Sequence, residues 1–331
     1  MRTGPETSAM VFDFTQSNAP SGFCQATVSF DAQSTSMNTQ TEAALQDTIA
    51  ACRSNAAMPD DLQQRKWSVA LLAGQRPGVD PLARGFRRSA KALIPVNGKP
   101  MIAWVLDALL QSQQVGQIVI IAQDAAILSD PQLKHFATNP RISIQVGSGG
   151  ISANIMNLAG QQALPWPMLV TTADHPLLTP QMVDGFLKQT ANHDLSVAMV
   201  SRETLLARYP GSQRTWLRFS DDGYTGANLF ALKSPATWNA LALWSLAEKD
   251  RKQAIKLFAR FGPRLALRAI TRTIAGADGI AQAGQRLGLK AQLVALSDAD
   301  AGVDVDKWTD YWQVSAILRA RETSTGVAGD H

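Results

Sequence analysis

From residue 67 onward, short apolar runs alternate with segments whose apolar positions recur every three or four residues. WSVALL at Trp67–Leu72, ending in Ala73-Gly74, has the continuous apolar character of a strand buried on both faces. QIVIIA at 117–122 and the runs at 142–146 and 167–172 repeat that pattern. Between them lie helical patterns. One runs through Ile102, Val105, Leu106, Leu109 and Leu110, with Pro100 where a first helical turn accepts proline. A second, after Gly149-Gly150, uses Ile151, Ile155, Leu158 and Ala159, and a third begins near Thr179-Pro180. Strands alternating with helices at this spacing predict an α/β fold, a doubly wound and mostly parallel sheet with helices on both faces.

The second half is less regular. Strands are expected at 195–200, 215–219, 228–232 and 291–296, with Asp221-Asp222-Gly223 as turn chemistry, and a closing helix at 308–319. These elements form one domain over 66–323, interrupted by a helical insertion at about 235–287. Residues 1–65 are rich in Ser, Thr, Gln and Asn without sustained periodicity. A poorly ordered extension is expected there, because so little apolar surface does not offset ordering entropy; Met58 is a competing start.

Composition narrows the function. The formal charge of +4 on 331 residues is too small to imply a nucleic-acid partner, although it suits phosphate ligands. The two cysteines, Cys24 and Cys52, offer neither a zinc pattern nor a disulfide framework. No basic-then-apolar leader and no span-length apolar run occurs, so a cytoplasmic location is expected.

Ligands of an open parallel sheet gather where loops leave the carboxyl ends of strands. Three such loops carry suitable residues. Leu72-Ala73-Gly74-Gln75-Arg76-Pro77-Gly78 offers two glycines for close backbone approach to an anion and a guanidinium from Arg76; the alternative is a plain turn. Neither a Walker loop nor G-x-G-x-x-G is present. Next, Lys91 and Lys99 flank a Pro-Val-Asn-Gly turn; either both lysines are simply solvated, or Lys91 stands beside the first loop to neutralise a triphosphate as a point charge. The third loop, Thr171-Thr172-Ala173-Asp174-His175-Pro176-Leu177-Leu178, sets an acid directly beyond a buried strand. Such an acid needs a cation or strong donors. Asp174 is read as a metal carboxylate against the alternative of a helix cap, for which Thr179 is better placed, and His175 as a packing or orienting residue.

The order LLAGQRPGVDPLA…KALIPVNGKPMI resembles the signature of MobA-like nucleotidyltransferases over roughly residues 67–310, with a Gly-rich loop after the first strand and then Lys before L-x-P-V-x-G-K-P. It departs where the usual G-G-x-G-T-R-M-G is replaced by Gly74-Gln75-Arg76-Pro77-Gly78-Val79-Asp80-Pro81, which shifts the arginine. The resemblance implies a Rossmann-like nucleotidyltransferase fold and an NTP site formed by Leu72, Ala73, Gly74, Gln75, Arg76, Gly78 and Lys91. It also matches Asp174 to the D-x-P-L metal motif. Gly302-Val303-Asp304-Val305-Asp306 resembles the family's second acidic segment, so Asp304 or Asp306 is the expected partner ligand; a cap role for Asp306 stays open. Gly149, Gly150, Ser152 and Asn154 match the base-recognition region, or else cap a helix. Gly226 and Asn228 match the acceptor-side G-x-N loop, or else form a hairpin turn.

The expected chemistry is attack by an acceptor oxygen on the α-phosphorus of an NTP, CTP or GTP, with pyrophosphate released. Lys91 and Asp174 are the catalytic residues, and Mg²⁺ is the cofactor, with Mn²⁺ as the alternative ion. The acceptor is a phosphorylated small molecule. A glycosyltransferase of GT-A-like architecture and a non-catalytic nucleotide- or membrane-binding protein are the rival readings. Lys252, Lys256, Arg260, Arg264, Arg268 and Arg272 recur every fourth residue. They are either a solvated helix face or a stripe that touches an anionic membrane.

Overall fold

A computed structural model describes residues 65–326, except 75–77, 79, 148–149, 250–264, 266 and 269–270. The described residues lie in the compact unit Asp61–His331, and the extension expected at the N-terminus falls outside them, Arg65 apart.

The strands form in the predicted places because their apolar residues serve two faces. In β1 (Trp67–Leu72), Val69 and Leu71 pack into one core while Ala70 and Leu72 pack into another. β4 (Val115–Ala122) divides in the same way, Ile118 and Ile120 against Val119 and Ile121. The first core is covered by α2 (Met101–Gln111), α5 (Pro180–Lys188) and α9 (Trp308–Gly326), the second by α4 (Ile151–Leu158) and α7 (Trp238–Lys249). Each fully buried Leu, Ile or Phe adds about 1.5–3 kcal/mol relative to exposure.

The remaining strands are β2 (Pro95–Val96), β3 (Lys99–Pro100), β5 (Ile142–Val146), β6 (Met168–Thr172), β7 (Leu195–Ser201), β8 (Leu217–Arg218), β9 (Gly223–Leu232) and β10 (Ala291–Ala295). The sheet order is β10-β7-β9-β6-β1-β4-β5 with β8 beside β9. β1 pairs in parallel with β4 on one side and β6 on the other, which makes its carboxyl end the point where the winding reverses. β9 runs antiparallel to β6 and β7, so the sheet is mixed though mostly parallel. Short helices α1 (Pro81–Gly85), α3 (Lys134–Ala137) and α6 (Arg202–Arg208) fill connections, and α8 (Gly276–Arg286) leads to β10.

Three expectations change. Pro100 is not a helical residue: it pairs with Pro95 in the small β2–β3 hairpin and caps α2 at ψ 142. Asn97 and Gly98, both at positive φ (49° and 78°), make the two-residue turn that the twist of such a hairpin favours. The strand expected at 228–232 begins earlier, at Gly223, and the one at 215–219 shrinks to Leu217–Arg218 because only β9 pairs with it.

Candidate active site

Backbone bonds at the reversal point gather the loops. Leu72 pairs with Thr172, Ala73 N–H donates to Ile121 O at 2.9 Å, and Ala173 N–H donates to Leu72 O at 2.9 Å. The glycine loop and the Asp174 loop therefore leave the same edge side by side. Val305 N–H donates to Asp174 O at 2.9 Å, which ties in the acidic segment that follows β10.

Side chains then converge. Lys91 opens a single 3₁₀ turn whose next residues, Ala92 and Leu93, are buried; that anchor directs the lysine over the edge. Its ammonium lies 2.7 Å from Asp174 Oδ2 and 2.6 Å from Asp306 Oδ1. Asp304 is held separately. Arg214 Nη1 pairs with Asp304 Oδ1, Arg214 Nη2 donates to the Asp304 carbonyl at 3.1 Å, and Asn228 Nδ2 donates to Asp304 Oδ2 at 3.1 Å. Asn228 reaches it from a left-handed backbone at φ 51°, an uncommon conformation for which asparagine is among the better-suited residues. Asp306 does not cap α9: its N–H and that of Lys307 bond Asp310 Oδ2 at 3.1 and 3.2 Å, which frees the Asp306 carboxylate for Lys91.

The electrostatics follow from this packing. Burial alone would raise the Asp174 carboxyl, but the Lys91 ammonium outweighs it and holds the group below the usual carboxylate range. The Thr172 hydroxyl adds to that depression without reaching hydrogen-bond geometry. Burial would lower Lys91, yet Asp174 and Asp306 together hold it above the usual lysine range. Asp304 is pushed up by burial and by its neighbours Asp174 and Asp306, with Arg214 only partly offsetting them. Burial keeps His175 neutral beneath the site, with Nε2 3.3 Å from the Asp300 carbonyl and Nδ1 unpartnered.

Do these residues fit a divalent cation? Asp174 Oδ1 is buried and accepts no hydrogen bond, and an acceptor left so is costly unless a ligand meets it. Between Asp174 and Asp306 a full positive charge, the Lys91 ammonium, is already accommodated. Among the described residues no three His, Cys, Asp or Glu side chains form a complete cage. Mg²⁺ is usually held by one or two carboxylates plus substrate phosphates, so the set fits an ion that arrives with its nucleotide.

Other expected residues are placed as follows. Leu72 and Ala73 are buried at the strand end, Gly74 follows them exposed, and Gly78 adopts φ 108°, a backbone that side chains disfavour. Gln75, Arg76 and Gly149 lie outside the described residues. Gly150 precedes α4, and the Asn154 amide packs on Gly147. Ser152 is fully buried, whereas Gly150 is exposed and Asn154 half-buried. Gly226 is exposed with open space beside its Cα, two residues from Asn228. Two further acids just upstream of the Asp304 segment, Asp298 and Asp300, are structural: Asp298 caps a short turn, and Asp300 is bonded by the Tyr209 hydroxyl and by Arg321 Nη2 at 2.5 Å. Lys252, Lys256, Arg260 and Arg264 lie outside the described residues, whereas Arg268 donates to Thr273 O at 3.1 Å. No described helix is long and apolar enough to cross a membrane.

Sequence reasoning missed Arg214. It is a lone arginine in a loop of no recognisable pattern, and only the fold shows that it faces Asp304 and, at 3.5 Å, Asp310.

Comparison with known proteins identifies the family. A profile of the MobA-like NTP transferase domain matches residues 69–261, more than half the chain. Over 175 residues the chain is 23% identical to a 2-C-methyl-D-erythritol 4-phosphate cytidylyltransferase of Vibrio atlanticus, covering 50% of this chain and 70% of that one. A hypothetical transferase structure from Thermus thermophilus superposes with a TM-score of 0.61 at 27% identity, over 74% of this chain and 99% of that one. A 4-diphosphocytidyl-2C-methyl-D-erythritol synthase structure from Anaerococcus prevotii has a TM-score of 0.49 at 10% identity, over 79% of this chain and 99% of that one.

Proposed function

The chain belongs to the MobA-like NTP transferase family and is a nucleotidyltransferase, and on that premise we propose that it transfers an NMP from an NTP to a phosphorylated small-molecule acceptor, with release of pyrophosphate. The observation that carries this reading is the convergence of Lys91, Asp174 and Asp306 at the end of β1, beside the glycine loop.

In this mechanism the backbone N–H groups of the 73–78 loop and the Lys91 ammonium grip the triphosphate and meet the charge that develops as the pyrophosphate leaves. Asp174, with Asp306 or Asp304, would hold Mg²⁺ or Mn²⁺, which would supply neutralisation of phosphate charge and alignment of the reacting oxygens. When nucleotide binds, Lys91 exchanges its carboxylate partners for phosphate oxygens, and Asp174 Oδ1 gains the partner it lacks. Gly150 and Asn154 lie on the base side. Gly226 and Asn228 lie on the acceptor side, where Arg214 and Asn228 fix Asp304. Catalysis of this kind is positioning plus electrostatics, so a dedicated nucleophile is not needed. The similarity to a cytidylyltransferase of Vibrio atlanticus supports CTP as the donor for this chain, with GTP as the alternative.

A pyrophosphate-release assay tests the reading, run over the four NTPs with sugar-phosphate and alcohol-phosphate acceptors. Release with one donor–acceptor pair, dependent on Mg²⁺ or Mn²⁺, is expected. No release with any pair would count against it.

A further inference from the structure

Beyond the last β6–β9 pair, Thr171 with Leu229, β9 continues toward Gly223 bonded only to β7 and β8. At its Gly223 end this ribbon forms one wall of a cavity of about 540 Å³. Arg202, Arg218 and Arg272 line it with Trp216, Phe219 and Asp222. Three separate segments supply the arginines: the start of α6, the edge strand β8 and the 271–275 turn.

The three arginines are exposed, but the backbone that carries them is fastened in place. Ser220 N–H donates to Ile274 O at 2.9 Å and Gly276 N–H to Asp221 Oδ1 at 2.9 Å, which fastens the 271–275 turn to the β8–β9 hairpin. The Phe219 ring lies so close to Gly276 and Gly279 that a Cβ there would meet it at 3.4 and 3.2 Å. Arg272 is held at φ 55°, a costly backbone of the kind that gathers at ligand clamps.

Among the described residues its charge is unbalanced. The one carboxylate among the described lining residues, Asp222, is committed to backbone donors: Gly223 N–H at 2.7 Å and Glu203 N–H at 3.2 Å. Among the described residues none of the three guanidinium groups has an ion-pair or hydrogen-bond partner. Three planar forks around one space match an anion with several oxygens, and the flanking rings suit an apolar or planar body.

The cavity is joined to the active site through the chain. In the alternating stretch Arg214-Thr215-Trp216-Leu217-Arg218, Arg214 bonds Asp304 while Trp216 and Arg218 line the cavity. Trp216 is no more than about 7 Å of chain from Arg214, and Gly223 is about 17 Å along β9 from Asn228.

We propose that this cavity binds a second anionic group, phosphate or carboxylate, on the acceptor, remote from its attacking oxygen. The inference rests on the nucleotidyl-transfer reading for the identity of the ligand, but not for the existence of the anion site. The acceptor would then be a doubly anionic molecule long enough to reach from Asp304 to the wall.

Calorimetric titration with inorganic phosphate tests the site directly, on the full chain and three variants: Arg202→Gln/Arg218→Gln/Arg272→Gln, Arg218→Gln alone, and Lys91→Ala. The triple variant is expected to lose one phosphate site at least tenfold in affinity, and Arg218→Gln severalfold, while Lys91→Ala retains that site. A phosphate isotherm unchanged from wild type in a triple variant that still melts cooperatively overturns the proposal. So does a site lost in Lys91→Ala but kept in both arginine variants. In the pyrophosphate assay, bisphosphorylated acceptors are expected to show a KM at least tenfold below that of their monophosphorylated counterparts, and the triple variant to abolish the difference; equal KM values in wild type overturn the acceptor assignment. If no donor–acceptor pair turns over, the nucleotidyl-transfer reading fails, and the phosphate isotherm still decides the cavity.

Discussion

Replacing Lys91 by methionine removes the one cation shared by two site carboxylates and keeps most of the side-chain volume. The Lys91 and Asp174 side chains are 16% and 23% exposed, whereas Asp306 is 65% exposed. The contact with Asp306 therefore resembles a surface pair, worth about 0–1 kcal/mol. Asp174 is different: once unpaired it is a largely buried carboxylate near two other acids, and stranding such a charge costs about 3 kcal/mol. For a chain of this size that corresponds to a melting temperature lower by about 8 °C at pH 7. Added Mg²⁺ should recover much of the loss, because it supplies the missing charge to the same carboxylates. Acid should close the gap as well. The folded-state pKa of Asp174 is depressed, so its stabilising contribution is present above the unfolded value of 3.8 and fades as pH falls through the lower folded value. Thermal unfolding followed by circular dichroism, with and without 10 mM Mg²⁺, provides the measurement (that concentration is about tenfold above a typical millimolar affinity). A variant that melts within about 1 °C of wild type at pH 7, or that gains nothing from Mg²⁺, would refute the reasoning.

Three further outcomes follow from the geometry. Arg214→Ala releases Asp304 from its main donor and should lower kcat/KM about 10–100-fold with little loss of NTP binding, read from steady-state kinetics against direct nucleotide titration. Tyr209, pushed up to about 12 by burial and by its bond to Asp300, contributes stability that is complete below the unfolded pKa near 10 and lost as pH rises through 12. Tyr209→Phe should cost about 1–2 kcal/mol at pH 8 and flatten the fall between pH 10 and 12 in denaturant titrations. Gly98→Ala places a side chain at φ 78° in the β2–β3 turn and should cost about 1 kcal/mol in the same titrations, although nothing lies within 4 Å of the new methyl.

The sequence made the first half of the fold readable because its signals are local. Buried parallel strands such as Trp67–Leu72 are continuous apolar runs, and the Thr179 cap with Pro180 behind it fixes the start of α5 within one residue. Lys91 and Asp174 stand out in the sequence for a local reason as well: Asp174 comes just beyond a buried strand, and Lys91 directly before a short buried turn. The antiparallel course of β9 was not, since direction is set by tertiary pairing and leaves no periodic trace. β8 shrinks to Leu217–Arg218 because an edge strand is held by one neighbour only. The cap reading of Asp306 yields to Asp310, four residues on, whose side chain folds back on the same amides; the pattern D-x-x-x-D does not say which acid caps. Arg214 and the arginine cavity are products of the fold alone, joining residues far apart in sequence such as Arg202 and Arg272.

The most direct test of the account is the effect of Asp174→Asn on pyrophosphate release under Mg²⁺ titration, with a wild-type donor–acceptor pair. The substitution keeps the size of the side chain, removes the charge that faces Lys91, and weakens the oxygen that lacks a partner. Loss of turnover by about 10³-fold or more, with the protein still folded, is the predicted result. Turnover at the wild-type level, with unchanged Mg²⁺ dependence, would contradict the placement of the metal and of the chemistry at the end of β1.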